Sequence, residues 1–336
     1  MATTQTSSEP LMDNAFFYAK LDTIANANTK KAYKSQLNGL LAKIESETRQ
    51  STDKPYKKLV LHVMTNPEIY APMFEKFYPM ITTRKNMFGL VLVMFKYADL
   101  KSEYNRRYEA WKKIHEECTE RVLAVIKTNE PSEKQQRKYL SYEEMEKGVQ
   151  RLAKDNPHST LKKSKQFCLI AMYTRIMPKR SDFGDIKIYS KDRDDNENNY
   201  LVLDPKGRSF FVFNKRNKTR MKKQLVERID DDLRDIFVKS VKKHPREYLF
   251  IGKERRPYDR RTFSQFVIQT FKDVFDKDTG VSMIRHMYDT EKVNRQRMSQ
   301  AELDHIAEHM GHSNRQQGME RFLFKKTADD GDSMKE

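Results

Sequence analysis

Eleven consecutive residues, TNEPSEKQQRK from Thr128 to Lys138, contain no large hydrophobic side chain. A hydrophobic core cannot run through such a stretch, so the chain must build one core before it and another after it. The sequence therefore predicts two domains, residues 1–134 and 135–336, with the polar stretch as the linker. A length of 336 residues suits that division.

The first domain reads as helical. Asn28 is placed to cap a helix starting at Thr29, and Ala32, Tyr33, Leu37, Leu40 and Leu41 follow at three- and four-residue spacing. Further helices are expected over Thr83–Tyr97 and over the charged stretch Lys101–Lys127, which holds the sole tryptophan, Trp111. After the linker, Ser141 and Glu144 form a capping box ahead of an apolar stripe of Met145, Val149 and Leu152. The period then changes. NYLVLD (Asn199–Asp204) and SFFVFN (Ser209–Asn214) alternate as strands do, across a Pro205-Lys206-Gly207 turn, and QLVERI follows a second, basic turn. Helices resume near Asp231, over Arg261–Asp273, near Met283 and over Gln300–Met310, and KKTADDGDSMKE reads as a tail. The expected fold is mainly α with one small, three-stranded antiparallel sheet in the second domain.

Charge narrows the partners. The chain carries 65 Lys+Arg against 48 Asp+Glu, a formal charge of +17, which favours polyanions because each phosphate contact releases condensed counterions. The N-terminal MATTQTSSEPLMDN lacks the features of a signal peptide. The apolar run Phe88–Phe95 falls far short of the ~20 residues that span a bilayer. Cys118 and Cys168 form neither a metal pattern nor a disulfide framework, and Cys168 reads as a buried thiol. These features point to a soluble, intracellular protein with no membrane partner and no cofactor. No Walker loop, dinucleotide fingerprint or zinc spacing is present, which argues against a nucleotide-driven motor.

What remains is a series of Arg, Lys and His positions. They lie in MPKRSDFGDIKI (Met177–Ile188), in the basic turn NKRNKTRMKK, in SMIRHMYDT (Ser282–Thr290) and in HMGHSNRQQGMERF (His309–Phe322). Each alone is weak, since an isolated Arg is usually a surface charge and an isolated His a satisfied polar residue.

Taken in order, the series resembles the tyrosine recombinases, the lambda-type integrases and their relatives in eukaryotic viruses and mobile elements. Their catalytic domain presents Arg, a β-hairpin Lys, His-x-x-Arg, Gly-His and then Tyr. The corresponding residues are Arg180, Lys218, Arg285 followed by His286, and Gly311-His312. The resemblance covers Tyr139–Phe324 and is strongest in IRHMYDT and MGHS; Thr29 and Tyr33 echo the family's helical core-binding domain. It implies DNA strand cleavage and rejoining through a 3′-phosphotyrosyl bond, with neither metal nor ATP. It also implies double-stranded DNA clamped between two domains, a dimer on each site and a tetramer in synapsis over a Holliday junction. A viral or mobile-element origin, with work in a host nucleus, would follow.

The chemistry suits these residue types. Two arginines can hold the equatorial oxygens of a phosphorane-like transition state with charged, bidentate donors. A hairpin lysine can protonate the leaving 5′ oxygen, and a histidine can donate to a phosphate oxygen.

Two positions depart from the family. Ser282 stands where His or Lys is usual, and it can donate a hydrogen bond but no charge. No tyrosine follows Tyr288, and Phe322, with Phe324 behind it, occupies the nucleophile's region. A phenyl ring has no hydroxyl to attack phosphorus, so cleavage from that position is impossible. Either the tyrosine was replaced to trap a complex before cleavage, or the chain is a natural non-cleaving relative. Other choices also stay open. Lys215 is the second candidate for the hairpin lysine, Arg175 competes with Arg180, and Asp182 is either the acid that orients an arginine or a turn residue. A type IB topoisomerase and an inactive DNA-binding relative are the alternative functions.

Overall fold

The computed structural model describes residues 12–48, 57–214, 224–294 and 297–310. The chain divides into two compact units, Met1–Lys127 and Thr128–Glu336.

Among its described residues the first unit is all helical: α1 (Asn14–Asp22), α2 (Ala27–Thr48), α3 (Leu59–Thr65), α4 (Pro67–Phe77), α5 (Ile81–Ala98) and α6 (Asn105–Lys127). Its core closes around Trp111, which is fully buried against Phe74 and Phe88, with ring centroids 5.6 and 5.9 Å away. The indole N–H donates to the Met64 carbonyl at 2.9 Å, so burial leaves that donor satisfied. Leu37, Leu40 and Leu41 of α2 face this core as their spacing predicts. The cap differs from expectation: the Asn26 side chain, not Asn28, accepts from the Thr29 N–H at 3.0 Å, and α2 starts at Ala27.

The second unit opens with α7 (Glu133–Lys138) and α8 (Tyr142–Lys154). The polar stretch is thus half helix. Ser132 and Gln135 form a capping box that local hydrogen bonding, not burial, stabilises. The junction after α7 is tied to the second unit: Lys277 Nζ and Thr279 Oγ1 donate to the Tyr139 and Lys138 carbonyls at 2.6 and 2.7 Å. These bonds explain why the division falls before α7.

Helix α9 (Leu161–Arg175) is the unit's axis, with every residue from Ser164 to Tyr173 buried. It leads through a loop into a four-stranded sheet, ordered β1 (Lys187–Tyr189), β2 (Tyr200–Val202), β3 (Phe210–Phe213), β4 (Leu225–Arg228). The three strands expected from the alternating pattern pair antiparallel. The sheet as a whole is mixed, because β1 adds in parallel beside β2. The expected three-stranded antiparallel sheet is thus present, extended by one parallel strand. Strand direction depends on the connection, and the loop after β1 doubles back over the sheet instead of forming a hairpin. Asp195 organises that loop by accepting from Tyr189 Oη at 2.9 Å and from the Asn198 side chain and backbone at 2.9–3.1 Å. These donors outweigh the effect of burial and hold its carboxyl down at about 2.

Four helices complete the unit: α10 (Asp231–Lys243), α11 (Arg260–Phe275), α12 (Val281–Glu291) and α13 (Gln300–Met310). The core joins α8, α9, the sheet and α10–α12 through an aromatic cluster centred on Phe183, whose ring lies 5.5 Å from both Phe211 and Phe213 and 5.9 Å from Tyr173. Among the described residues no helix is long and apolar enough to cross a membrane.

Candidate active site

Arg180 sits in the loop between α9 and β1, and Phe183 plugs the following turn into the core. Gly184 lets that turn approach α11 closely: a Cβ there would lie 2.9 Å from the Tyr258 carbonyl oxygen and 3.0 Å from Phe263 Cβ. The Gly184 carbonyl in turn accepts from the Tyr258 N–H at 3.1 Å. The loop that carries Arg180 is therefore fixed against the start of α11.

Arg285 lies on the first turns of α12, which begins after Gly280. Ser282 and Arg285, three apart, share a helix face. Arg180, Ser282, Arg285 and His286 all line one cavity of about 350 Å³, together with Arg260, Ser264 and Ile268 of α11. Arg285 is 3% exposed, while Arg180 is half-buried with an enclosed Nε that has no hydrogen-bond partner among the described residues. Such a buried donor is costly unless something accepts from it. A cavity walled by three permanently charged guanidinium groups suits a tetrahedral oxyanion.

Arg175, the competitor of Arg180, is elsewhere: it pairs with Asp230 and Asp232 at the start of α10, at 3.5 and 3.6 Å. Asp182 is buried, and its charge is felt by the Tyr173 phenol beneath the cavity. Burial and the Asp182 carboxylate push that phenol far up, against a smaller opposing pull from Arg285. Tyr288, the last tyrosine of the chain, packs inward against Tyr142 at 6.1 Å, and burial raises its phenol to about 12. Neither property suits an attacking group. Lys215, Lys218, His312, Phe322 and Phe324 lie outside the described residues.

Arg260 escaped the sequence analysis, since its only mark was a place at i, i+4, i+8 with Ser264 and Ile268 on a helix whose apolar stripe drew attention to the other face.

A second polar cluster lies buried behind Arg180. Lys179 and Glu227 form an ion pair 4% and 9% exposed, and His309 Nδ1 lies 3.2 Å from Glu227 Oε2 and 3.4 Å from Lys179 Nζ. The Phe213 ring sits 5.5 Å from the ammonium, and the exposed His305 ring lies tilted against His309 with centroids 4.0 Å apart. Burial opposes ionisation of Glu227, but the bond to His309 and the charge of Lys179 prevail and hold it at about 2. Two histidines one turn apart beside a carboxylate resemble half a metal site, yet the carboxylate already holds the ammonium. No metal-binding group of three or more His, Cys, Asp or Glu residues occurs among the described residues.

No protein-family model matches this sequence, and no curated protein matches it. Among solved structures, the crystal structure of XerA recombinase is similar over 92% of this chain and 93% of that one, at 14% identity and a TM-score of 0.39.

Proposed function

We propose that the chain is a DNA strand-transfer protein of the tyrosine recombinase kind, held in a non-cleaving form by Phe322. The observation that carries this reading is the meeting of Arg180 and Arg285, chosen from distant parts of the sequence, in the wall of one arginine-lined cavity. The scissile phosphate of duplex DNA occupies that cavity. Arg180 and Arg285 hold its non-bridging oxygens, and Ser282 adds a neutral donor. Lys218, or Lys215 in its place, delivers a proton to the 5′ oxygen as the P–O bond breaks, and His312 donates to a phosphate oxygen. A tyrosine at position 322 would form the new bond to phosphorus, and the released 5′ hydroxyl of a partner strand would later displace it. Two copies act on each site and four in synapsis, which the family resemblance alone supports.

The test is the Phe322→Tyr protein on a nicked suicide substrate. It should form a denaturation-resistant protein–DNA adduct, while the unaltered chain binds DNA and forms none. Adding Arg285→Ala should lower the adduct rate by roughly 10²–10³. An adduct from the unaltered chain would place the nucleophile elsewhere, and an adduct from Phe324→Tyr alone would shift the register by two residues. On supercoiled plasmid with paired sites, joined products identify a recombinase. Relaxation alone identifies a type IB topoisomerase, and neither outcome identifies a DNA-binding relative.

A further inference from the structure

Three elements that carry groups of the proposed site, or stand next to them in the sequence, meet at one buried carboxylate. Lys179, bonded to Glu227, directly precedes Arg180, and the two neighbours point opposite ways: Arg180 into the cavity, Lys179 into the interior. Glu227 itself lies on β4, the strand that follows the basic sequence holding Lys215 and Lys218. His309 is on the last turn of α13, which ends at Met310, immediately before Gly311 and His312. Burial, and to a smaller extent the Glu227 charge, raise the phenol of Tyr288 on α12.

We propose that Glu227 is a positioning node, and that Lys179 and His309 are positioning residues which pin the Arg180 loop and α13 to β4 in one relative geometry. What the node positions rests on the proposed function; that it pins these elements does not. The physical ground is directionality. Hydrocarbon side chains of similar volume would fill this space as well or better, since a buried ion pair seldom adds net stability over an apolar replacement. They would, however, accept a range of helix rotations and slides. An ammonium and an imidazole both held by one carboxylate oxygen accept very few, because hydrogen-bond strength falls steeply with angle and distance. The apolar part of α13's contact, Val293, Ile306 and Met310 with Met177, Tyr288, Met298 and Leu303 packed against them, is small by comparison with the main core, and the polar trio adds the directional contacts.

The experiment compares three full-length proteins, each in the Phe322→Tyr background: the parent, His309→Gln, and the apolar set Lys179→Leu/Glu227→Leu/His309→Leu. Hydrogen exchange is followed over residues 300–310, adduct formation is timed at saturating DNA, and DNA affinity is measured separately. The apolar set, which leaves no charge unpaired, should fold and bind DNA within about twofold of the parent. Its α13 amides should nonetheless exchange at least about tenfold faster, and its adduct rate should fall about tenfold or more, as small displacements of reacting groups do. His309→Gln, which keeps a neutral donor toward Glu227, should retain most of the rate. If the apolar set matches the parent in both exchange and rate, the trio only fills space and the proposal is overturned. If the parent makes no adduct, the proposed function fails, while exchange over α13 still decides the node: unchanged protection in the apolar set overturns it.

Discussion

Lys165 offers the sharpest test of the second unit's energetics. It is a 9% exposed ammonium on the buried helix α9, donating to the Ile251 carbonyl and to Tyr258 Oη, with the Tyr258 and Phe266 rings 5.2 and 5.3 Å away. No carboxylate pairs with it among the described residues, and burial, aided by the Arg246 charge, lowers it from 10.5 to about 8. In the folded state the lysine therefore loses its proton near pH 8, in the unfolded state near 10.5. Between those limits the unfolded chain binds more protons, so stability rises with pH. The full interval corresponds to about 3 kcal/mol, and partial access of water to the ammonium reduces that to about 2. Lys165→Met removes the titrating group. Its stability relative to the parent should be most favourable at or below pH 8 and decline by about 2 kcal/mol toward pH 10.5. Urea unfolding provides the assay. Trp111 lies in the first unit's core, so its fluorescence follows that unit, and ellipticity lost without a fluorescence change follows the second. Parallel stability curves for parent and variant across this range would show that the folded lysine titrates normally, and the reasoning would fail.

Two further outcomes are expected. Gly184→Ala should destabilise the second unit by about 1–3 kcal/mol in the same unfolding assay, because the new methyl must push the Tyr258 carbonyl and α11 away from the Arg180 turn; an unchanged midpoint would mean that the turn is free to yield. DNA affinity should fall with a log–log salt slope near −0.9 for each phosphate neutralised, amounting to about 10³ or more between 50 and 200 mM salt if at least six are engaged; a flat titration would remove phosphate contacts from the account.

The sequence made the helices with strong one-sided stripes legible, and the capping boxes too, because these depend on neighbours along the chain. The capping box Ser132–Gln135 was legible in principle but was masked by the absence of hydrophobic residues around it. The parallel pairing of β1 was not legible, since direction is set by where the next ten residues travel. In the site, Arg180 and Arg285 line one cavity, and a family resemblance was what singled them out in the sequence. Arg260 had no such pattern. Glu227 did leave a trace: strand alternation turns Leu225 and Glu227 inward and leaves Val226 47% exposed, so the charge sits where a hydrophobe belongs. An inward charge in a strand requires a buried partner, but the sequence alone gives no way to choose Lys179 and His309 from the rest.

The Lys179–Glu227–His309 trio also constrains how this chain can change over time. Replacing Lys179 or Glu227 alone strands the other, and an uncompensated buried charge costs about 3–5 kcal/mol, a large share of a domain's stability. Breaking the ion pair one residue at a time therefore crosses a valley, although the fully apolar arrangement on the far side is as stable. The three positions should drift as a block: relatives should hold all three polar groups or three hydrocarbons, and mixed sets should be rare. Grafting β4, the Arg180 loop or α13 singly from a relative of the other type should fail where grafting all three together succeeds.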